Sequence, residues 1–278
     1  MSLNSINTNA AALIALENLD AISSQLATVQ NRISTGLKVS SAKDNPAVWA
    51  MAQNERAQLS ALDAVTTSLQ RGQSIVDTAM TAGQSISDLL NQMKAKAVAA
   101  SDTSLSASDR QALSEDYVAL RHQIDTLANS ASFDGVNLSG AGSSDAVHAL
   151  ANADATQTVD VAHADLSTTG TALAGILSDL SSGASTSDLA NLDAAIQAVN
   201  SSVARLGAGS NALTNQLDFI GKLHDSLTTS LGNLVDADVA AESANLQALQ
   251  VRQQLAIQAL SIANNTPSIL LSLFKNIQ

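Results

Sequence analysis

The stretch 189–234, LANLDAAIQAVNSSVARLGAGSNALTNQLDFIGKLHDSLTTSLGNL, decides the fold. Read in alternating steps of three and four it gives Leu189, Leu192, Ile196, Val199, Val203, Leu206, Ser210, Leu213, Leu217, Ile220, His224, Leu227, Leu231 and Leu234, fourteen positions of which only Ser210 and His224 are polar. Side chains three and four apart share one face of a helix. Kept for about six heptads, the alternation is a coiled-coil seam with a left-handed supercoil. His224 on that seam reads as a register-setting polar residue. A seam of this length needs partners, and the chain supplies them.

The first partner is the ladder Leu62, Val65, Leu69, Gly72, Val76, Ala79, Gly83, Ile86, Leu90, Met93 and Ala97, whose small members permit close helix approach. A second is Leu113, Tyr117, Leu120, Ile124 and Leu127, entered from the polar turn Ser101 to Ser108 through Ser108, Asp109 and Arg110, which read as a capped first turn. Then Phe133-Asp134-Gly135-Val136-Asn137-Leu138 breaks the helical period with a tight-turn or hairpin signal. From 139 to 187 the chain is rich in Gly, Ser, Ala, Thr and Asp, with one alternating stretch, Thr158 to Val161, that reads as a short strand. The segment is expected to be a small, exposed, variable excursion.

Both ends carry apolar ladders of the same kind. At the N-terminus these are Leu3, Ile6, Ala10 and Leu13, followed by Leu19, Ile22, Leu26, Val29 and Ile33; at the C-terminus, Leu246, Leu249, Ala256, Leu260, Ala263 and Leu270, with Gln253 and Pro267 as exceptions. Residues 1–35 hold only Glu17, Asp20 and Arg32 as charges. A solvated helix shows a charged outer face, so helices with Asn, Ser, Thr and Gln there suit contacts on several sides. The expected architecture is all-α, an elongated antiparallel helical bundle or coiled coil with a small β-turn or hairpin excursion. It divides, in order, into an apolar end (1–40), a first part of the bundle (41–138), the excursion (139–187), a second part of the bundle (188–235) and an apolar end (236–278); the resemblance named below implies that the ends are inner helices and the bundle parts an outer helical shell.

Composition narrows the function. Aromatic residues are only 2% of the chain, which favours thin bundles packed by Leu, Ile, Val and Ala. A net charge of −12 without any basic block argues against nucleic acid. No apolar run reaches the ~20 residues of a membrane span, and no leader pattern is expected. With no cysteine, disulfide and thiolate chemistry are excluded. His122, His148, His163 and His224 show no metal-ligand spacing, no serine has a nucleophile-elbow context, and Gly207-Ala208-Gly209-Ser210 lacks the lysine of a phosphate loop. Asp236 and Asp238 are too few for a hard cation and read as caps or pairs. The expectation is no catalysis, no metal and no cofactor.

The chain outside 139–187 resembles bacterial flagellin. Ser5-Ile6-Asn7-Thr8-Asn9 is similar to that family's opening motif, and Arg32 to Ala47, through Gly36, Asn45 and Pro46, to its N-terminal signature. Asp134-Gly135, Leu206-Gly207-Ala208, Asp236-Ala237-Asp238, Glu242, Ala263-Asn264-Asn265 and Pro267 match further along, in order. The resemblance implies a subunit whose terminal helices form the inner core of a helical homopolymer, with Leu3, Ile6, Leu13, Leu19, Ile22, Leu26, Val29, Ile33, Leu246, Leu249, Leu260 and Leu270 as assembly residues. It also implies export by the flagellar type III apparatus without a cleaved leader, a secretion chaperone, hook-associated and cap proteins as partners, and an extracellular filament as destination. The alternatives are a hook-filament junction protein and, from another class, a cytosolic coiled-coil binding module.

Overall fold

The computed structural model describes residues 9–142 and 145–275. Among them are helices α1 (Ala10–Thr35), α2 (Pro46–Ala100) and α3 (Ala107–Ser130), strands β1 (Ser132–Phe133), β2 (Val136–Asn137), β3 (Val147–Leu150) and β4 (Thr158–Val161), and helices α4 (Thr186–Val235) and α5 (Val239–Lys275). The helical class with small hairpins agrees with the sequence reading. The chain divides into two compact units, one of 1–57 with 227–278 and one of 58–226.

In the unit 58–226, all eleven positions of the α2 ladder are buried, and the α4 seam residues within the unit are buried or half-buried. Polar pairs between the two helices fix their register: Asp63 with His224, Gln73 with Thr214, Asp77 with Ser210, Ser87 with Asn200, and Lys94 with Asp193. Each step forward on α2, from 63 to 94, is matched by one step back on α4, from 224 to 193. The helices are therefore antiparallel and pair without a slip. His224 and Ser210, the two polar residues of the seam, each hold one of these pairs.

A common core joins Ile86, Leu90 and Met93 of α2, Tyr117 and Ile124 of α3, and Leu192 and Val199 of α4. Helix α3 is capped by Ser106, which accepts from the Asp109 N–H at 3.2 Å, two residues before the turn that the sequence suggested. Between β1 and β2, Asp134 and Gly135 both take positive φ, 52° and 81°, the conformation that a two-residue hairpin turn of type I′ requires. Arg71 holds Asp134 at 2.6 Å.

The segment 139–187 differs from the expected exposed excursion. Leu166, Leu173 and Leu180 are fully buried and belong to the same core as α2, α3 and α4. Its turns are pinned to α3, with Thr168 donating to Asp125 and the Leu180 N–H to the Ser114 hydroxyl. Sparse leucines in a Ser- and Gly-rich run register weakly as a pattern, yet the turns bring each of them onto the bundle. Strand β4 forms where the alternation predicted it and pairs antiparallel with β3, with His148 opposite Asp160 at 2.7 Å.

Candidate assembly interface

The second unit is built on the two terminal helices and the two connections beside them. Asn9 starts α1: its Oδ1 accepts from the Ala12 N–H at 3.1 Å, and its Nδ2 donates to the Ala263 carbonyl of α5 at 2.7 Å. Gly36 ends α1 with φ 71°, a left-handed cap that a side chain would strain. The signature loop beyond it is stitched to the connection between α4 and α5. The N–H groups of Lys38 and Val39 donate to the Val235 carbonyl at 2.7 and 3.3 Å, and the Ala237 N–H donates to the Gly36 carbonyl at 2.9 Å. Leu37 forms a bridge with Asp236.

Side chains complete the loop. One Asp44 oxygen accepts from the backbone and hydroxyl groups of both Ser40 and Ser41 at 2.9–3.1 Å. These bonds, led by the Ser41 N–H and the Ser40 hydroxyl, hold the Asp44 carboxyl below the usual aspartate range. Asn45 accepts from the Val48 N–H at 3.2 Å, and Pro46 occupies the first position of α2, where a missing N–H costs nothing. Asp238 caps α5 by accepting from the Ala240 and Ala241 N–H groups at 3.0 Å. Val39, Ala52 and Val235 close into a small buried cluster against Trp49.

Helix α1 packs against α5. Leu19, Ile22, Leu26, Val29 and Ile33 on one helix, and Leu246, Leu249 and Leu260 on the other, are buried or half-buried. Arg32 Nη1 meets Glu242 Oε1 at 2.9 Å across the pair. Leu13 stands apart at 58% exposure, and Asn264 is exposed. Leu3 and Ile6 lie outside the described residues. Pro267 and Leu270 fall on the α5 backbone, while Asp134, Gly135 and Gly207 belong to the other unit.

The ladder read from sequence thus lies largely between the chain's own two helices. What it leaves bare is a second set that the ladder omitted: Ile14, Leu16, Val251, Leu255, Ile257 and Ile262, with Leu13, at 45–70% exposure. The signal for them was the missing charge around them. Among the described residues, no group of three or more His, Cys, Asp or Glu is placed to hold a metal ion, and no helix is long and apolar enough to cross a membrane.

Terminal helices that pair with each other and keep further apolar side chains exposed present the kind of surface that marks a protein–protein contact. The family comparison agrees. Residues 6–143 match the bacterial flagellin N-terminal helical region and residues 189–274 the bacterial flagellin C-terminal helical region. Flagellin FljK of Caulobacter vibrioides is 48% identical over 281 residues, covering 99% of this chain and 100% of that protein. Flagellin C of Rhizobium meliloti is 33% identical, covering 98% of this chain and 100% of that one, and the Brucella melitensis flagellin is 34% identical, covering 98% and 99%. The chain belongs to the bacterial flagellin family. Its length, shared with FljK from end to end, is that of a short flagellin without large outer domains.

Proposed function

We infer that this chain is a structural subunit that polymerises into the extracellular flagellar filament of swimming bacteria. The observation that carries the reading is the bare apolar set on α1 and α5, which gains about 25 cal/mol per Å² when a neighbouring copy covers it. Repeating one heterologous contact along a helical operator gives an open tube. In this reading the segments 1–40 and 236–278 form the inner core and 41–138, 139–187 and 188–235 the layer outside it. Before export through the type III apparatus, a secretion chaperone covers the C-terminal helix, and hook-associated and cap proteins bound the growing filament.

The test separates the two apolar sets. Ile257→Asp and Ile14→Asp each place a charge on an exposed flank and leave the α1–α5 ladder intact, so each is expected to stop elongation from filament seeds without lowering the helical signal of the isolated chain. Tubes of normal length from both variants under the electron microscope would sink the reading.

A further inference from the structure

Charge is scarce on α1 and α5. The charged side chains described on them are Glu17, Asp20 and Arg32 on α1 and Glu242 and Arg252 on α5. Arg32 and Glu242 pair with each other. Glu17, Asp20 and Arg252 are exposed, and among the described residues none of the three is in an ion pair. The contacts of Asn9 with Ala263 and of Arg32 with Glu242 bring Arg252 level with the Asp20 turn of its own chain, yet that pair is not made. Leu13, Glu17 and Asp20, spaced four and three, share one stripe of α1, with exposed Leu16 beside them. Arg252 adjoins Val251 and lies one turn before Leu255, both exposed. A copy that covers these apolar flanks therefore covers the charges too. A carboxylate or guanidinium taken out of water without an opposite charge is costly, so the flanks can be covered only where the charges meet.

We propose that Arg252 of one copy pairs with Glu17 and Asp20 of a second copy. The two carboxylates lie one turn apart and repel each other, and the arginine fork carries enough donors to serve both. The contact is heterologous, the α5 flank of one copy meeting the α1 flank of another, which is the kind that repeats into an open polymer. The proposal rests on the filament reading and adds register to it, since apolar flanks alone allow sliding and one ion pair per flank fixes a single offset.

Mixing charge-reversed full-length subunits tests this in seeded growth followed by sedimentation. Arg252→Glu alone, and Glu17→Lys with Asp20→Lys alone, are each expected to raise the critical concentration about tenfold or more, because like charges then face each other across the contact. An equimolar mixture of the two variants is expected to return to within about twofold of the parent, since opposite charges can then meet between copies. The triple reversal, Glu17→Lys, Asp20→Lys and Arg252→Glu in one chain, is expected to grow alone near the parent concentration, which shows that the fold tolerates the reversed side chains. A triple variant that grows while the mixture does not would put the pair inside one copy and overturn the proposal. So would a triple variant that fails to grow, or single-flank variants that grow like the parent. A parent chain that forms no filaments would instead overturn the filament reading, before any variant is compared.

Discussion

At Asp44 a single carboxylate organises the signature loop, and its protonation has a predictable sign. Its folded value is depressed because four donors from Ser40 and Ser41 favour the charged form. The stability it contributes is therefore present above the ordinary aspartate range and is lost as pH falls through the lowered value, below about pH 4. Trp49, the only tryptophan, sits against Val39 beside this loop and reports on it. Acid titration of Trp49 emission should show a transition below about pH 4 that is absent in Asp44→Asn, whose emission at neutral pH should already resemble that of the acid form. Overlapping titrations of the two proteins would contradict this. At Gly36, nothing obstructs a Cβ, so Gly36→Ala meets only the left-handed penalty and is expected to lower stability by about 1 kcal/mol in urea unfolding.

At the scale of elements, two glycines of α4 separate helix propensity from packing. Replacing a mid-helix glycine by alanine gains about 1 kcal/mol where space is open. Gly221 has nothing within 4 Å of an added Cβ, so Gly221→Ala should stabilise the chain by about that amount. An added Cβ at Gly209 meets both methyl carbons of Val161 at 2.8 and 2.9 Å, and Val161 is β-branched and fixed in the β3–β4 ladder. Overpacking there costs about 1–3 kcal/mol, which outweighs the propensity gain, and Gly209→Ala should destabilise. Equal shifts in the urea midpoint for the two variants would refute the assignment of Gly209 to close approach. The contrast also marks what a sequence can reveal. The 3,4 alternation of α4 was legible because period alone sets the face, and Asp134-Gly135 because only a few residue types tolerate two positive φ values in succession. The contact between Gly209 and Val161 was not legible, since a glycine in a heptad run looks the same whether a hairpin or water lies above it. Nor were the bonds from Lys38 and Val39 to the Val235 carbonyl, which join backbone groups with no local signal.

For the whole molecule, charge is unevenly shared. The unit holding α1 and α5 carries six cationic and seven anionic side chains, whereas the unit 58–226 carries seven and eighteen. The net charge of −12 is a single figure for the chain, and the division into units shows that nearly all of it falls on one of them. The leucines of 166–180 joined that acidic unit's core unforeseen, because their sparse spacing carries no helical period. Wherever polymerisation sets copies of the acidic unit side by side, their like charges oppose the contact made by the apolar flanks. At about 10 mM salt the screening length is about 30 Å and the repulsion reaches across neighbouring copies; at physiological ionic strength it falls to about 8 Å. The critical concentration for seeded growth should therefore fall severalfold between those conditions, and the effect should shrink when Asp88 and Asp218, both exposed, are replaced by Asn. Apolar burial depends little on salt over this range, so a sedimentation assay that finds the same critical concentration at both salts would remove charge repulsion from the balance and leave the α1 and α5 flanks as the only control on assembly.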